Sequence, residues 1–438
     1  MPNRKTFLQQ LALGGAGVFI SPSLQALFLP GNDDDYTVPP ELQQEMYAAA
    51  LRIAKSKVRG GPADPAYKKP YADAAFSNNI FLWDTCFIAA YAKYHQQELP
   101  IANALDNFYN LQEADGFISR EYTKEGKTMW SKEHPVSINP PLLAFAELEL
   151  HSRQPNRSRL KKVYPHLRRF YQFLLQHYRM DDHLFFNDAF GSGMDNIERF
   201  PPGWKDDGKG IQLVNLYPEI FDYNGLSPAW NRQGRSVDIT AQMALFATNL
   251  STIARITGHK KHIAAYTTFY NETKEAVNRL CWNEEDSFYY DLGYGTQIRR
   301  KHIGMFWVLL AGLVPDDRLE RFLSHLTNPN EFWRKFPVAS FPANQPQYNP
   351  AGGYWLGSNW APTTYMVIRG LQHCGKPELA AKLAKQYYWC VAQVYKATGT
   401  FWENYAPDFL KQGSDSRKDF CGWTAIAPIA IWHEFIKA

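Results

Sequence analysis

Apolar positions along this chain recur mostly at the three- and four-residue spacing of one face of a helix. Val237, Ala241, Ala244, Leu245, Leu250 and Ile253 form one such stripe, with Asp238 near its start. Val163, Leu167, Phe170, Phe173 and Leu174 form another. This spacing predicts helices over 41–58, 82–95, 100–112, 139–151, 161–179, 237–257, 260–280, 301–312, 316–327, 359–374, 376–397 and 421–436. Short turns such as Gly258-His259, Pro315-Asp316 and Gly375-Lys376-Pro377 join many of them pairwise, which makes neighbours antiparallel. Twelve helices in six hairpins is the inventory of an all-α (α/α)6 toroid.

Six long connections alternate with the short turns: 58–81, 113–138, 181–236, 282–300, 328–358 and 398–420. They are rich in Gly, Pro, Asn and aromatic residues. In a toroid they gather at one end of the funnel, so function is expected there. Two of them carry a hairpin-like pattern, 183–187 and 286–291. No linker inside 41–438 divides it, so one domain is expected there, after an export signal at 1–29 and a polar linker at 30–40. The signal reading rests on Arg4-Lys5, the apolar run Leu8 to Ile20 and the break at Ser21-Pro22. Arg4-Lys5-Thr6-Phe7-Leu8 has a twin-arginine character with Lys in second place. The predicted location is the periplasm, with no membrane span in the mature chain.

Composition narrows the chemistry. The chain has 438 residues, a net charge of +4 and no basic run, so no nucleic-acid partner is expected. Five scattered cysteines without metal-ligand spacing predict neither a disulfide framework nor a zinc site. Aromatics reach 15% of the residues. Most belong to a helical core, but Tyr and Trp also offer flat apolar faces to sugars.

Two acids stand apart from any helical stripe. Asp195 lies in Gly191-Ser192-Gly193-Met194-Asp195-Asn196, and Glu403 lies in Phe401-Trp402-Glu403-Asn404-Tyr405. A pair of carboxylic acids in aromatic surroundings is what glycosidic cleavage needs, one to protonate the leaving oxygen and one to activate water. Structural roles compete: Asp195 as a turn former, Glu403 in an ion pair with Arg417 or Lys418. Trp83-Asp84 opens an apolar helix, where Asp84 reads either as a capping acid or as a sugar ligand beside an aromatic face. The loop Gly352 to Trp360 sets three aromatics among glycines and suits a sugar subsite better than a core.

These segments, in order, resemble the trehalase-like clan of inverting glycosidases, most closely glycoside hydrolase family 63 and then the family 37 trehalases. Trp83-Asp84-Thr85 is similar to the family's Trp-Asp helix start, and Gln112 to Gly116 to its Gln-x-x-Asp-Gly loop. Asn139-Pro140-Pro141 resembles its Gln-Pro-Pro start. Ser192 to Asn196 resembles the motif of the general acid, and Val237 to Met243 a Val-Asp-Leu-x-Ala-Gln segment. Tyr354 to Gly357 resembles Tyr-Trp-Arg-Gly, Trp402 to Tyr405 the loop of the general base, and Phe420 to Trp423 the terminal Phe-Gly-Trp. Leu356 replaces the family's frequent Arg, and Asn196-Ile197-Glu198-Arg199 replaces Asn-Ser-Pro-Arg.

The resemblance implies the (α/α)6 fold and an inverting, exo-acting α-glycoside hydrolase, with Asp195 as general acid and Glu403 as general base. Trp83, Asp84, Gln112, Trp355, Gly357, Trp360, Tyr405 and Trp423 would shape the sugar site. Arg235, with Arg232, would place a cation near the acid, unless Arg235 pairs with Asp238. The expected partner is a small carbohydrate, with an α-glucosidic disaccharide or short oligosaccharide first. Mannosylglycerate- or glucosylglycerate-type solutes and trehalose are alternatives, and a sugar-binding protein without turnover is the alternative of another class. An epimerase would need catalytic histidines, whereas His95, His151, His302 and His373 sit in or beside helices. No cofactor or metal is implied, and the sequence sets no oligomeric state.

Overall fold

The computed structural model describes residues 36–130, 132, 137–187, 191–197, 199 and 234–437. The export signal expected at 1–29, most of the 30–40 linker, and Arg232 lie outside the described residues. The chain from Val38 onward is one compact unit.

The described residues include twelve helical segments that build the fold: α1 Pro40–Ser56, α2 Leu82–Ala92, α3 Ile101–Asn110, α4 Leu143–Arg153, α5 Arg157–Tyr178, α6 Val237–Thr257, α7 Ile263–Ala276, α8 Trp307–Leu310, α9 Asp316–Leu326, α10 Ala361–His373, α11 Pro377–Thr398, and a wide π-type segment α12, Ala427–Ile436. Each falls on a stretch with helical spacing in the sequence. The differences are local and have causes. Pro140-Pro141 delays α4 to Leu143. The 301–312 stretch begins as a tight 3-10 turn, Ile303–Phe306, before α8. The last segment opens with a similar turn, Thr424–Ile426. Gly258 and Gly399 end α6 and α11 in left-handed conformations, at φ 92° and 70°, where a residue with a Cβ is strained.

The even-numbered helices follow one another in space. α2 packs on α4, α4 on α6, α6 on α8, and α8 on α10. The 3-10 turn that opens the last segment touches both α10 and α2. The odd-numbered α1, α3, α5, α7 and α11 lie against these. Every residue of α2 is buried. Each large apolar side chain so buried is worth about 1.5–3 kcal/mol.

Strands are two residues long. β1 (Ile80–Phe81) pairs with β2 (Glu121–Tyr122). β3 (Gly234–Arg235), β6 (Leu292–Gly293) and β7 (Thr296–Gln297) form a three-stranded sheet, and β4 (Trp282–Asn283) pairs with β5 (Phe288–Tyr289). The hairpin expected around 286–291 therefore forms as β4–β5. At 183–187 the structure has an isolated bridge, Arg179 to Phe185, and the Phe185 carbonyl accepts the N–H of Ser236. Among the described residues no helix is long and apolar enough to cross a membrane.

Candidate active site

β1 runs straight into α2, and that junction sets the floor of the site. The N–H of Leu82 donates to the Arg120 carbonyl at 2.9 Å, and the N–H of Arg120 donates to the Ser137 carbonyl at 2.8 Å. This places Trp83 and Asp84, in the first turn of α2, beside Arg120. The Arg120 side chain is nearly enclosed, and its guanidinium lies 3.9 Å from Asp195 Oδ1. Asp84 is buried, and its Oδ1 meets no hydrogen-bond partner among the described residues. Burial first, then the charges of Asp73 and Glu403, push its carboxyl well above the usual range, with Arg120 opposing.

Glu403 is held from several directions. Its N–H donates to the Arg417 carbonyl at 2.9 Å, and its carbonyl accepts from the Trp423 indole at 3.2 Å. Its Oε1 accepts from the Arg417 guanidinium at 2.9 Å and the Tyr354 hydroxyl at 3.4 Å, and its Oε2 from the Arg417 N–H at 3.3 Å. The ion pair with Arg417 exists, yet it does not exclude chemistry. Burial raises the Glu403 carboxyl and the Asp195 charge adds to it, while Arg417 opposes both. The net direction is up, as suits a proton acceptor working near neutral pH. The Arg417 guanidinium lies over the Phe76 ring, 5.0 Å from its centre.

The Asp195 loop is tied to the glycine-rich loop. The side-chain amide of Asn196 donates to the Gly353 carbonyl at 3.1 Å, and its oxygen accepts the Trp355 N–H at 2.8 Å. The two acids differ in access: the Asp195 side chain is 29% exposed, that of Glu403 3%. Asp195, Glu403, Asp84, Arg120 and Arg417 thus form one charged cluster, close enough for their charges to shift one another.

The tryptophans form a packed group under it. Trp355 and Trp360 stack at 4.1 Å, Trp423 meets Trp83 and Trp360 edge-on at 5.5 and 5.6 Å, and Trp83 lies 6.0 Å from Trp355. All four are buried, Trp360 completely. Trp360 is therefore a supporting ring rather than an open sugar platform.

Other expected site residues are engaged in structural contacts. The Gln112 amide is fully engaged: it donates to the Gly116 and His166 carbonyls, accepts from Arg169, and its oxygen lies 2.9 Å from His166 Nδ1. It braces the 113–117 turn against α5. Tyr405 stacks on Phe336 at 4.7 Å, and its backbone bridges Asn359. Gly357 serves backbone approach, since a Cβ there would meet the Asn349 carbonyl at 2.5 Å. Arg235 pairs with Asp182 at 2.6 Å, not with Asp238. Asp238 is taken by Arg199.

Arg120, Tyr354 and Arg199 join the site without having been singled out by sequence. Two of them carried a signal: Arg199, as the basic residue four positions after Asp195, and Tyr354, as the first aromatic of the glycine-rich loop. Buried Asn139, two residues after Ser137, has neither amide atom partnered among the described residues; such atoms are rare and suit a hydroxyl-rich ligand. No group of three or more His, Cys, Asp or Glu side chains among the described residues is arranged to hold a metal ion.

Residues 77–422 match the family model described as the mannosylglycerate hydrolase MGH1-like glycoside hydrolase domain. The probable mannosyl-oligosaccharide glucosidase of Schizosaccharomyces pombe is 24% identical over 378 residues, covering 74% of this chain and 46% of its own. Across the first two curated relatives, the chain spans 62% and 46% of their length. The crystal structure of a family 63 mannosylglycerate hydrolase from Thermus thermophilus in complex with glucose superposes with a TM-score of 0.69 at 19% identity, covering 89% of this chain and 99% of that one. Neutral trehalase from Saccharomyces cerevisiae superposes at 0.59 and 12% identity, covering 86% of this chain and 79% of that one.

Proposed function

This chain belongs to the mannosylglycerate hydrolase MGH1-like glycoside hydrolase family, and on that premise we propose that it is an exported, inverting, exo-acting α-glucosidase on a disaccharide or short oligosaccharide. That it is a glycoside hydrolase of the family 63 type follows from the family itself. Inversion, the substrate and export are the proposal. The observation that carries it is the asymmetry of the two acids: a more open Asp195 beside Arg120, and a buried Glu403 whose carboxyl is raised yet hydrogen-bonded. The cyclic order of contacts among the even-numbered helices supports reading the fold as an (α/α)6 toroid with the long loops at its mouth.

In this mechanism Asp195 gives its proton to the glycosidic oxygen as the C1–O bond breaks. Water attacks C1 from the opposite face, and Glu403 takes the water's proton. A β-configured sugar leaves, Glu403 is left protonated and Asp195 ionised, and proton exchange with solvent restores both. Asp84 and the edges of Trp83 and Trp423 would hold the sugar. Hydrolysis of a mannosylglycerate-type solute is the second reading, favoured by the superposition on the Thermus enzyme over nearly its whole length.

The test is proton NMR of the purified protein with trehalose, kojibiose, nigerose, maltose, isomaltose and mannosylglycerate, with Asp195→Asn alongside. β-Glucose appearing first, and an inert variant, are expected. α-Glucose first would overturn inversion, cleavage of mannosylglycerate alone would move the reading to the second substrate, and no turnover would leave a sugar-binding role.

A further inference from the structure

Arg199 is 2% exposed and takes no part in the chemistry described above. Its guanidinium donates to two carboxylates at once, to Asp291 Oδ2 at 2.7 Å and to Asp238 Oδ2. Both acids are buried and fixed by other bonds. Asp238 Oδ1 accepts the Ile239 N–H at 2.8 Å in the first turn of α6. Asp291 Oδ1 accepts the Val237 N–H at 2.7 Å, and its Oδ2 also contacts His302 Nε2 at 3.3 Å. Burial acts to raise Asp291, but Arg199 and His302 outweigh it and hold the carboxyl below its usual range.

The same knot reaches the acid loop from its other side. A Cβ placed on Gly304 would lie 2.8 Å from His302 Nδ1 and 2.9 Å from the Met194 methyl. The residue before Asp195 therefore packs beside the His302 turn, and the residue four after it is bonded at the start of α6 and to the acid that meets His302. Asn196 fastens the loop to the opposite wall. A loop with glycines at 191 and 193 has little stiffness of its own, so its ends must supply it.

We propose that Arg199 is a positioning residue for Asp195, locking the general-acid loop onto Asp238 and Asp291 so that the acid meets the glycosidic oxygen. This rests on the reading of Asp195 as general acid. The guanidinium makes these two donations from separate nitrogens held in one plane, a spacing that the single nitrogen of a lysine does not reproduce.

The experiment compares two substrates with different needs: the disaccharide the wild type cleaves, whose leaving oxygen requires protonation, and α-glucosyl fluoride, whose fluoride departs without it. Arg199→Lys and Asp238→Asn are assayed with Asp195→Asn as reference, and folding is followed by circular dichroism and thermal melting. General acid catalysis contributes about 10²–10⁴-fold. Arg199→Lys is expected to lose about 10²-fold in kcat on the disaccharide, with KM little changed, and under about 5-fold on the fluoride. Asp238→Asn, closer in shape to the wild type, is expected to show the same selective loss should the lysine variant not fold. Equal loss on both substrates, or loss on neither, by the folded variants would overturn the positioning role. Full disaccharide activity in Asp195→Asn, or no hydrolysis of the fluoride by the wild type, would instead overturn the reading of the acid or of the sugar.

Discussion

Gly193 and Trp83 touch so closely that a methyl group on the glycine would sit 2.6 Å from the indole ring. Gly193 also holds φ at 79°. The ring has nowhere to retreat, being wedged against Phe87, Trp355 and Trp423. Gly193→Ala therefore meets two obstacles, a clash and backbone strain on the order of 1–3 kcal/mol. The loop is expected to shift by about 1 Å, enough to cost on the order of 10²-fold in kcat/KM. Steady-state kinetics with near-ultraviolet circular dichroism checks this; wild-type activity in Gly193→Ala would show that the contact does not set the acid.

Asn196 makes the second tie of that loop, through its two bonds to the Gly353 carbonyl and the Trp355 N–H. Asn196→Ala leaves both groups to find other partners. The Trp355 N–H is buried, and a buried polar group left unsatisfied costs about 1–3 kcal/mol; the Gly353 carbonyl is only partly covered and costs less. A lower melting temperature and a fall of about 10-fold or more in kcat/KM are expected. Asn196→Asp, which keeps the acceptor for Trp355 and loses the donor to Gly353, should fall between, and melting curves of the three proteins decide it.

The pH profile should report Glu403. Its carboxyl is raised above 4.5 by burial and by Asp195, and a general base works only when ionised. The acid limb of kcat/KM is therefore expected above that value. Arg417 is the main force lowering it, so Arg417→Met removes a restraint and moves the acid limb further up by about one pH unit or more. Activity at pH 6 falls more than activity at pH 8. A limb that stays in place in Arg417→Met would mean that it belongs to another group.

The sequence carries the helices because each buries a face and repeats at its own period; α6 and α5 are visible from a handful of apolar positions. It carries Asp195 and Glu403 because an acid among glycines or aromatic rings has no helical reason to be there. It does not carry long-range pairing. Asp238 lies three residues from Arg235 and 39 from Arg199, and proximity along the chain favours the wrong arginine. Nor does a residue name tell open from closed: Trp360 has a sugar-binding character on paper and is fully buried. Gln112 could bind hydroxyls or carbonyls equally well, and it binds carbonyls.

Asp84 connects stability to function. Burial, Asp73 and Glu403 all raise its carboxyl. A folded-state value above the unfolded one means that the folded protein holds the proton more tightly. The stability so contributed is fully present below the ordinary carboxylate value of 3.8 and is lost as pH rises through the folded value. Burial raises Asp73 as well, against Arg59, and raises Glu403 in the same direction, so wild-type stability should fall as pH rises above the ordinary carboxylate values. Asp84→Asn removes the largest of these penalties while keeping the shape. It is expected to melt higher than wild type at pH 8 by about 1–3 °C, to converge with it only as pH falls toward the ordinary carboxylate value of 3.8, and to lose on the order of 10²-fold or more in kcat/KM, because one of the two oxygens facing a sugar hydroxyl becomes an amide donor. Calorimetry across pH with kinetics on the same samples tests both halves: a variant less stable at pH 8 would show that Asp84 is held by a favourable partner, and one with full activity would remove it from the sugar site.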